Sequence, residues 1–104
     1  MSDRVEAILK LLARNPQDVF LHYSLAMEHV SSGRHDQAAP EFERCIALDA
    51  GYLPAYVEGG KSLRAAGRAA EARDLFTRGL SVAQSRNDTH AQDYIRQQLQ
   101  GLAP

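Results

Sequence analysis

Hydrophobic residues recur along this chain at intervals of three and four. In the first segment Val5, Ile8 and Leu12 share one face of a helix. Five later segments repeat this spacing, and short breaks containing Pro, Gly, Asn or Asp separate them. No segment alternates apolar and polar residues between turn residues, as a half-buried strand would. The pattern therefore predicts an all-α protein of about six helices.

The residues at the breaks predict where each helix begins and ends. The predicted helices run to residue 15, then over residues 19–32, 37–48, 53–66, 70–85 and 90–102. Their expected N-caps have side-chain oxygens that can accept a bond from the helix backbone, and they are Asp3, Asp18, Asp36 and Thr89. Gly33 and Gly67 are expected to end helices in a left-handed conformation. Links of about three or four residues predict antiparallel neighbours.

An internal repeat has a period of 34 residues. The identical pairs are Gly33 and Gly67, Arg34 and Arg68, Ala38 and Ala72, Phe42 and Phe76, and Arg44 and Arg78. Repeats of this length are typical of helical solenoids, in which each unit is a pair of helices. A helix-turn-helix fold is the main alternative, but the period and the absence of net positive charge argue against it.

The repeat resembles the tetratricopeptide repeat family. One unit reads His22 to His29, Gly33 and Ala38-x3-Phe42, and the next reads Tyr56 to Leu63, Gly67 and Ala72-x3-Phe76. The sequence departs from the family pattern at His22, His29 and Leu63, and it lacks the proline after both units. Adjacent glycines at 59 and 60 predict a soft fourth helix or a close approach by a neighbour.

The resemblance implies one domain over residues 1–104. It would comprise a half-repeat helix (1–15), repeat one (19–52), repeat two (53–86) and a C-terminal capping helix (87–104). The implied fold is a right-handed superhelical stack of antiparallel helix pairs, an α-solenoid. Its concave face would be lined by the first helix of each pair.

The resemblance also implies a function, which is to bind a peptide or helix of a partner protein on that concave face. The predicted groove residues lie on the exposed face of the second, fourth and sixth helices, and they are Phe20, Tyr23, Ser24, Met27, Val57, Glu58, Lys61, Arg64, Gln92 and Ile95. One subclass of the family binds the carboxy-terminal carboxylate of a chaperone's tail with Lys, Asn and Arg side chains. The corresponding positions here hold Tyr23, Met27, Glu58, Asp88 and Gln92, so we expect no chaperone tail to be held in that way.

Composition narrows the class of protein further. The chain has 104 residues, 44% of them hydrophobic, and a net charge of −1, which disfavours nucleic-acid binding through bulk charge. It has no apolar run of about 18 residues and no signal-like start, so we expect a cytoplasmic protein that does not enter membranes.

Residues 61–86 carry six basic and two acidic groups. They form either a patch for an acidic partner or a solvated helix face.

No catalytic or metal-binding constellation is evident. His22 and His29 are seven residues apart, too far for ligands on adjacent turns, and we expect them to pack in the seam between helices. The single cysteine, Cys45, falls at a small-residue position and is expected to be a buried hydrophobe. We therefore predict a non-enzymatic scaffold without metal or cofactor. A structural subunit that self-associates through its end helices is the alternative, and an unrecognised enzyme or metalloprotein is a third hypothesis.

Overall fold

A computed structural model describes residues 3–102 of the chain. In that range it forms six α-helices and no strand. They are α1 (Asp3–Arg14), α2 (Val19–Ser31), α3 (His35–Leu48), α4 (Leu53–Ala65), α5 (Ala69–Ser85) and α6 (Thr89–Gln100). Each helix packs against its neighbours in the sequence. The predicted all-α fold is confirmed.

Several of the predicted helix ends are confirmed. The carboxylate of Asp18 accepts a hydrogen bond from the backbone N–H of Leu21, at 3.1 Å from Oδ1 to N, and so caps α2. Gly33 and Gly67 have φ angles of 74° and 79°. These left-handed conformations favour glycine and end α2 and α4 without steric cost.

Three predicted caps are wrong. Asp3 and Asp36 already lie inside α1 and α3, and the Asp36 carboxylate accepts a bond from Arg68 instead of a backbone N–H. The N-cap of α6 is Asp88, which accepts from the backbone N–H of Ala91 at 3.0 Å, whereas Thr89 is the first helical residue. Because α3 begins at His35, Pro40 lies inside that helix and not at the end of its first turn.

The main core lies between the helix pairs, and two buried phenylalanines are central to it. Phe42 and Phe76 have no exposed surface. Glycine permits the close approach around them, since a Cβ at Gly59 would lie 3.1 Å from Cβ of Phe42. A Cβ at Gly79 would lie 2.7 Å from Cβ of Tyr56. The predicted close approach of a neighbour to the fourth helix is confirmed.

The helices form two layers. In the outer layer α3 and α5 are joined by two ion pairs, Arg68 with Asp36 at 3.0 Å and Arg78 with Glu43 at 3.1 Å. In the inner layer α4 and α6 meet through polar contacts, described below. The inner layer contains α2, α4 and α6, and α1 packs against α2.

A small second core attaches α1 to α2. It is formed by Val5, Leu12 and Leu25, with Ile8 and Leu21 packed against it. On α1, Leu9 and Leu11 remain 39% and 49% exposed.

The register of α6 departs from the 34-residue period. α2 and α4 begin at residues 19 and 53, whereas α6 begins at residue 89, two residues later than the period requires. The cause is α5, which has 17 residues while its counterpart α3 has 14.

Candidate partner-binding face

The most exposed apolar side chain on the inner layer is Phe20, in the first turn of α2. It is 65% exposed, whereas most large apolar residues of the chain are buried or half-buried. Ser24, one turn later, donates its hydroxyl to the backbone oxygen of Phe20 at 2.8 Å. The hydroxyl hydrogen of Ser24 is therefore used within α2, and Phe20 is the apolar group that remains available to a partner.

Tyr23 follows Phe20 by three residues and lies on the same face of α2. Its ring meets Phe42 edge-on with 6.0 Å between centroids, and it meets Tyr52 in the same manner at 5.5 Å. Burial, with a smaller contribution from Glu58, raises the pKa of Tyr23 to about 12. The phenol is therefore neutral at physiological pH. Tyr52 lies in the link before α4, where helical periodicity gives no indication of a position on this face.

Met27 of α2 and Val57 of α4 continue the apolar surface next to Tyr23. Both side chains are half-buried and pack against the main core. The apolar groove residues predicted on α2, which are Phe20, Tyr23 and Met27, therefore fall into two groups. Phe20 projects from the surface. Tyr23 and Met27 are held in place by the main core, and we call the apolar surface that they form the floor of the groove.

The middle of the inner layer carries two cations on α4. The Nζ atom of Lys61 lies 3.6 Å from a carboxylate oxygen of Glu58 and 5.9 Å from the ring centroid of Tyr94. A hydrogen bond with Tyr94 is the largest influence on the pKa of Lys61, which is raised. One turn on, Nη1 of Arg64 donates to Oε1 of Gln98 at 2.6 Å.

Two predicted groove residues on α6 are placed elsewhere. Ile95 has no exposed surface, and its Cδ1 atom would lie 3.6 Å from a Cβ at Gly79, so its predicted position in the groove is wrong. Gln92 points towards α5, where its amide nitrogen lies 3.5 Å from the backbone oxygen of Ala83. The residues of α6 that contact α4 are Tyr94 and Gln98. Gln98 lies 34 residues after Arg64, so the repeat period itself indicated this residue, although it was not among the predicted groove residues.

Two histidines, His22 and His35, form hydrogen bonds to other parts of the chain. His22 is 7% exposed, and its Nδ1 and Nε2 atoms lie 2.9 Å from Oε1 of Glu41 and 2.8 Å from the backbone oxygen of Pro16. His35 is bonded through Nδ1 to the buried hydroxyl of Ser62 at 2.9 Å. Nδ1 of His29 is buried without a hydrogen-bond partner. Across residues 3–102, no group of three or more His, Cys, Asp or Glu could hold a metal ion.

Cys45 is the buried hydrophobe that the sequence predicts. It has no exposed surface, and its thiol lies 3.6 Å from the backbone oxygen of Val19, to which it donates. Burial is the largest influence on its pKa, which rises to about 11. A thiol in this state is a poor nucleophile.

The basic stretch at residues 61–86 is divided between the two layers. On the outer layer Arg68 also pairs with Glu71 at 2.6 Å, and this partner lowers the pKa of Glu71. Arg78 also pairs with Asp74 at 3.4 Å. The outer arginines thus belong to a solvated, ion-paired face, whereas Lys61 and Arg64 belong to the inner layer.

Comparison with known proteins agrees with this architecture. A tetratricopeptide repeat-containing protein of Pseudomonas aeruginosa is 30% identical over 88 residues, which cover 85% of this chain and 84% of that protein. The solution structure of a protein from Bordetella parapertussis superposes with a TM-score of 0.81 at 27% identity, covering 96% of this chain and 87% of the other. The solution structure of a tetratricopeptide repeat domain protein from Salinibacter ruber gives a TM-score of 0.73 at 26% identity, covering 81% and 85%.

No family model matches the chain. None of the helices between residues 3 and 102 is long and apolar enough to cross a membrane. The extent of the match to the Pseudomonas protein, the helical architecture and the repeat itself lead to the same conclusion. The chain belongs to the tetratricopeptide repeat family.

Proposed function

We propose that this protein is a non-catalytic scaffold that binds a peptide or helix of a partner protein on its inner layer. Membership of the tetratricopeptide repeat family supports a role in protein–protein interaction. The observation that carries the more specific proposal is the exposed ring of Phe20, which stands beside the fixed apolar floor of Tyr23 and Met27. Aromatic residues and methionine are enriched at the centres of protein interfaces.

The groove combines this apolar end with a polar end. Burial of a partner's apolar side chain against Phe20 supplies affinity, while Lys61 and Arg64 orient the partner by charge. The other predicted groove residues of α2 and α4, which are Ser24, Val57 and Glu58, complete the proposed surface. Ile95 and Gln92 take no part in this surface, and Tyr94 and Gln98 replace them.

A non-catalytic role agrees with the state of the reactive side chains. Cys45 is a buried thiol with a raised pKa, and Ser62 is a buried hydroxyl bonded to His35. Both side chains are buried. The cytoplasmic location expected from the sequence remains a prediction.

The test is photo-crosslinking in cells of the native host. A photoreactive phenylalanine analogue is placed at position 20, and matched controls carry it at positions 44 and 77 on the outer layer. We expect position 20 to capture a defined protein that the outer positions do not capture. Adding Arg64→Glu to the position-20 variant should abolish the capture while circular dichroism shows an unchanged fold.

Two outcomes would contradict the proposal. Capture from positions 44 and 77 but not from position 20 would assign the interface to the outer layer. Capture from position 20 that survives Arg64→Glu would remove the polar end of the groove from the interface.

Self-association through α1 is a second candidate function, because Leu9 and Leu11 are both partly exposed on that helix. Light scattering across a concentration series tests it. A protein that stays monomeric at all concentrations would contradict self-association. A dimer that is lost in Leu11→Gln but kept in Phe20→Glu would favour it over the groove.

A further inference from the structure

We propose that the polar end of the groove is a subsite for a side-chain carboxylate of the bound protein, formed by Lys61 and Arg64 of α4 with Tyr94 and Gln98 of α6. The inference rests on the proposed function, since it concerns the same inner surface. It names the chemistry of the partner: a segment that carries an acidic side chain in addition to an apolar one.

The arginines of the two layers differ in their ion pairs. On the outer layer, Arg68 and Arg78 each contact two carboxylates. Arg64 differs, because its bonded partner is the neutral amide oxygen of Gln98, and no carboxylate among residues 3–102 forms an ion pair with it. The positive charge of this exposed guanidinium is therefore not compensated within the described part of the molecule.

The position of Lys61 strengthens this charge. Lys61 and Arg64 are three residues apart and share one face of α4. Lys61 forms an ion pair with Glu58, whose carboxylate oxygen lies 3.6 Å from Nζ. The ion pairs among residues 3–102 thus supply one carboxylate for these two cations, and this end of the groove attracts a second carboxylate from outside.

The donors around the two cations suit a carboxylate. A guanidinium has five N–H donors in a planar fork, and Arg64 uses one of them for Gln98. The remaining donors can bind both oxygens of a carboxylate, an arrangement stronger than a neutral hydrogen bond. Gln98 accepts through its amide oxygen and so keeps its amide N–H groups to donate to the same ligand.

The charge count favours a carboxylate over a phosphoryl group. Lys61 is already partly neutralised by Glu58, so the subsite offers between one and two positive charges. A phosphoryl group carries about 1.5 to 2 negative charges at neutral pH and would be repelled by the nearby Glu58. A single carboxylate balances the unpaired charge of Arg64.

The test is selection from a random peptide library displayed as an amino-terminal fusion, so that no peptide offers a free carboxy-terminus. The baits are the unchanged protein, a Lys61→Gln/Arg64→Gln variant, and a Lys10→Gln/Arg44→Gln control. The control has the same loss of charge, at one exposed site on α1 and one on α3. Phe20→Glu serves as the bait that damages the apolar end.

We expect the unchanged protein and the Lys10→Gln/Arg44→Gln control to enrich peptides that contain an apolar residue and Asp or Glu. The Lys61→Gln/Arg64→Gln variant should still enrich the apolar residue but lose the acidic one. Synthetic versions of the selected peptides should bind this variant about tenfold more weakly, and replacing the acidic residue by its amide should cause a similar loss on the unchanged protein.

The outcomes distinguish this inference from the proposed function. Peptides that depend on Phe20 but show no acidic preference would overturn the subsite and leave the groove standing. Acidic enrichment lost equally in the Lys10→Gln/Arg44→Gln control would reduce it to an effect of net charge. A preference for phosphorylated over acidic versions of the selected peptides would overturn the choice of carboxylate. Peptides unaffected by any inner-layer variant would overturn both proposals.

Discussion

Gly60 of α4 lies directly against the ring of Phe76 of α5. A Cβ at position 60 would come within 2.7 Å of the Cδ1 and Cζ atoms of that ring, and real Cβ atoms do not approach other heavy atoms so closely. Phe76 is fully buried, so its ring has no free space into which it could retreat. This contact explains why a helix accepts two adjacent glycines despite their low helix propensity.

Gly60→Ala is therefore expected to destabilise the protein. Alanine favours a helix by up to about 1 kcal/mol over glycine, but overpacking against Phe76 costs about 1–3 kcal/mol. We expect a net loss in the free energy of unfolding, measured by urea denaturation. Ser81→Ala, at an exposed position of α5, is the control and should be close to neutral. A more stable Gly60→Ala variant would show that the two helices can separate without cost.

Docking of α6 is expected to depend on Ile95. This side chain is fully buried against α5, so Ile95→Ala should lower the free energy of unfolding by about 2–4 kcal/mol. The neighbouring exposed Gln97→Ala should change it by less than about 0.5 kcal/mol. Equal effects of the two substitutions, measured by thermal unfolding, would contradict the register described for α6.

His22 and Glu41 are expected to be energetically coupled. The histidine is buried, and Nδ1 lies 2.9 Å from the glutamate. In a double-mutant cycle of His22→Phe and Glu41→Ala, we expect a coupling free energy of about 1 kcal/mol. Additive effects of the two substitutions would mean that the pair contributes nothing as a pair.

Stability is expected to fall in alkaline solution, partly through Tyr23. Burial raises the pKa of Tyr23 from 10.0 to about 12, so folding favours the neutral phenol. This contribution is complete below pH 10 and is lost as the pH rises through 12. Urea unfolding at pH 9 and pH 11.5 should show a smaller loss for Tyr23→Phe than for the unchanged protein. The variant keeps part of the loss, because burial also raises the pKa of Cys45, Tyr52 and Tyr56.

Cys45 is expected to react with thiol reagents only after unfolding. It is fully buried, and its pKa of about 11 leaves little thiolate at neutral pH. With a chromogenic disulfide, we expect native protein to react at least tenfold more slowly than protein in concentrated urea. Rapid stoichiometric labelling of the native protein would show that α3 opens readily from α2.

The sequence by itself determined the local structure and the repeat. Apolar spacing and breaks at Gly33 and Gly67 fix the helices, because helix formation and termination depend on residues within one or two turns. The small residues Gly59 and Gly60 likewise indicated a close approach. Caps were less predictable, since Asp36 bonds to Arg68, which is distant in sequence, and not to its own helix.

Only the tertiary structure decided which side chains of α6 reach the groove. Counting 34 residues on from Glu58 and Lys61 gives Gln92 and Ile95, but packing against α5 buries Ile95 and directs Gln92 to the backbone of Ala83. Tyr94 and Gln98 are the residues of α6 that contact α4. Tertiary structure also divided the basic stretch, because an arginine is neutralised only where a carboxylate from another turn or helix lies within reach. Helical periodicity is a local property, whereas register between helices and charge pairing depend on the whole packed chain.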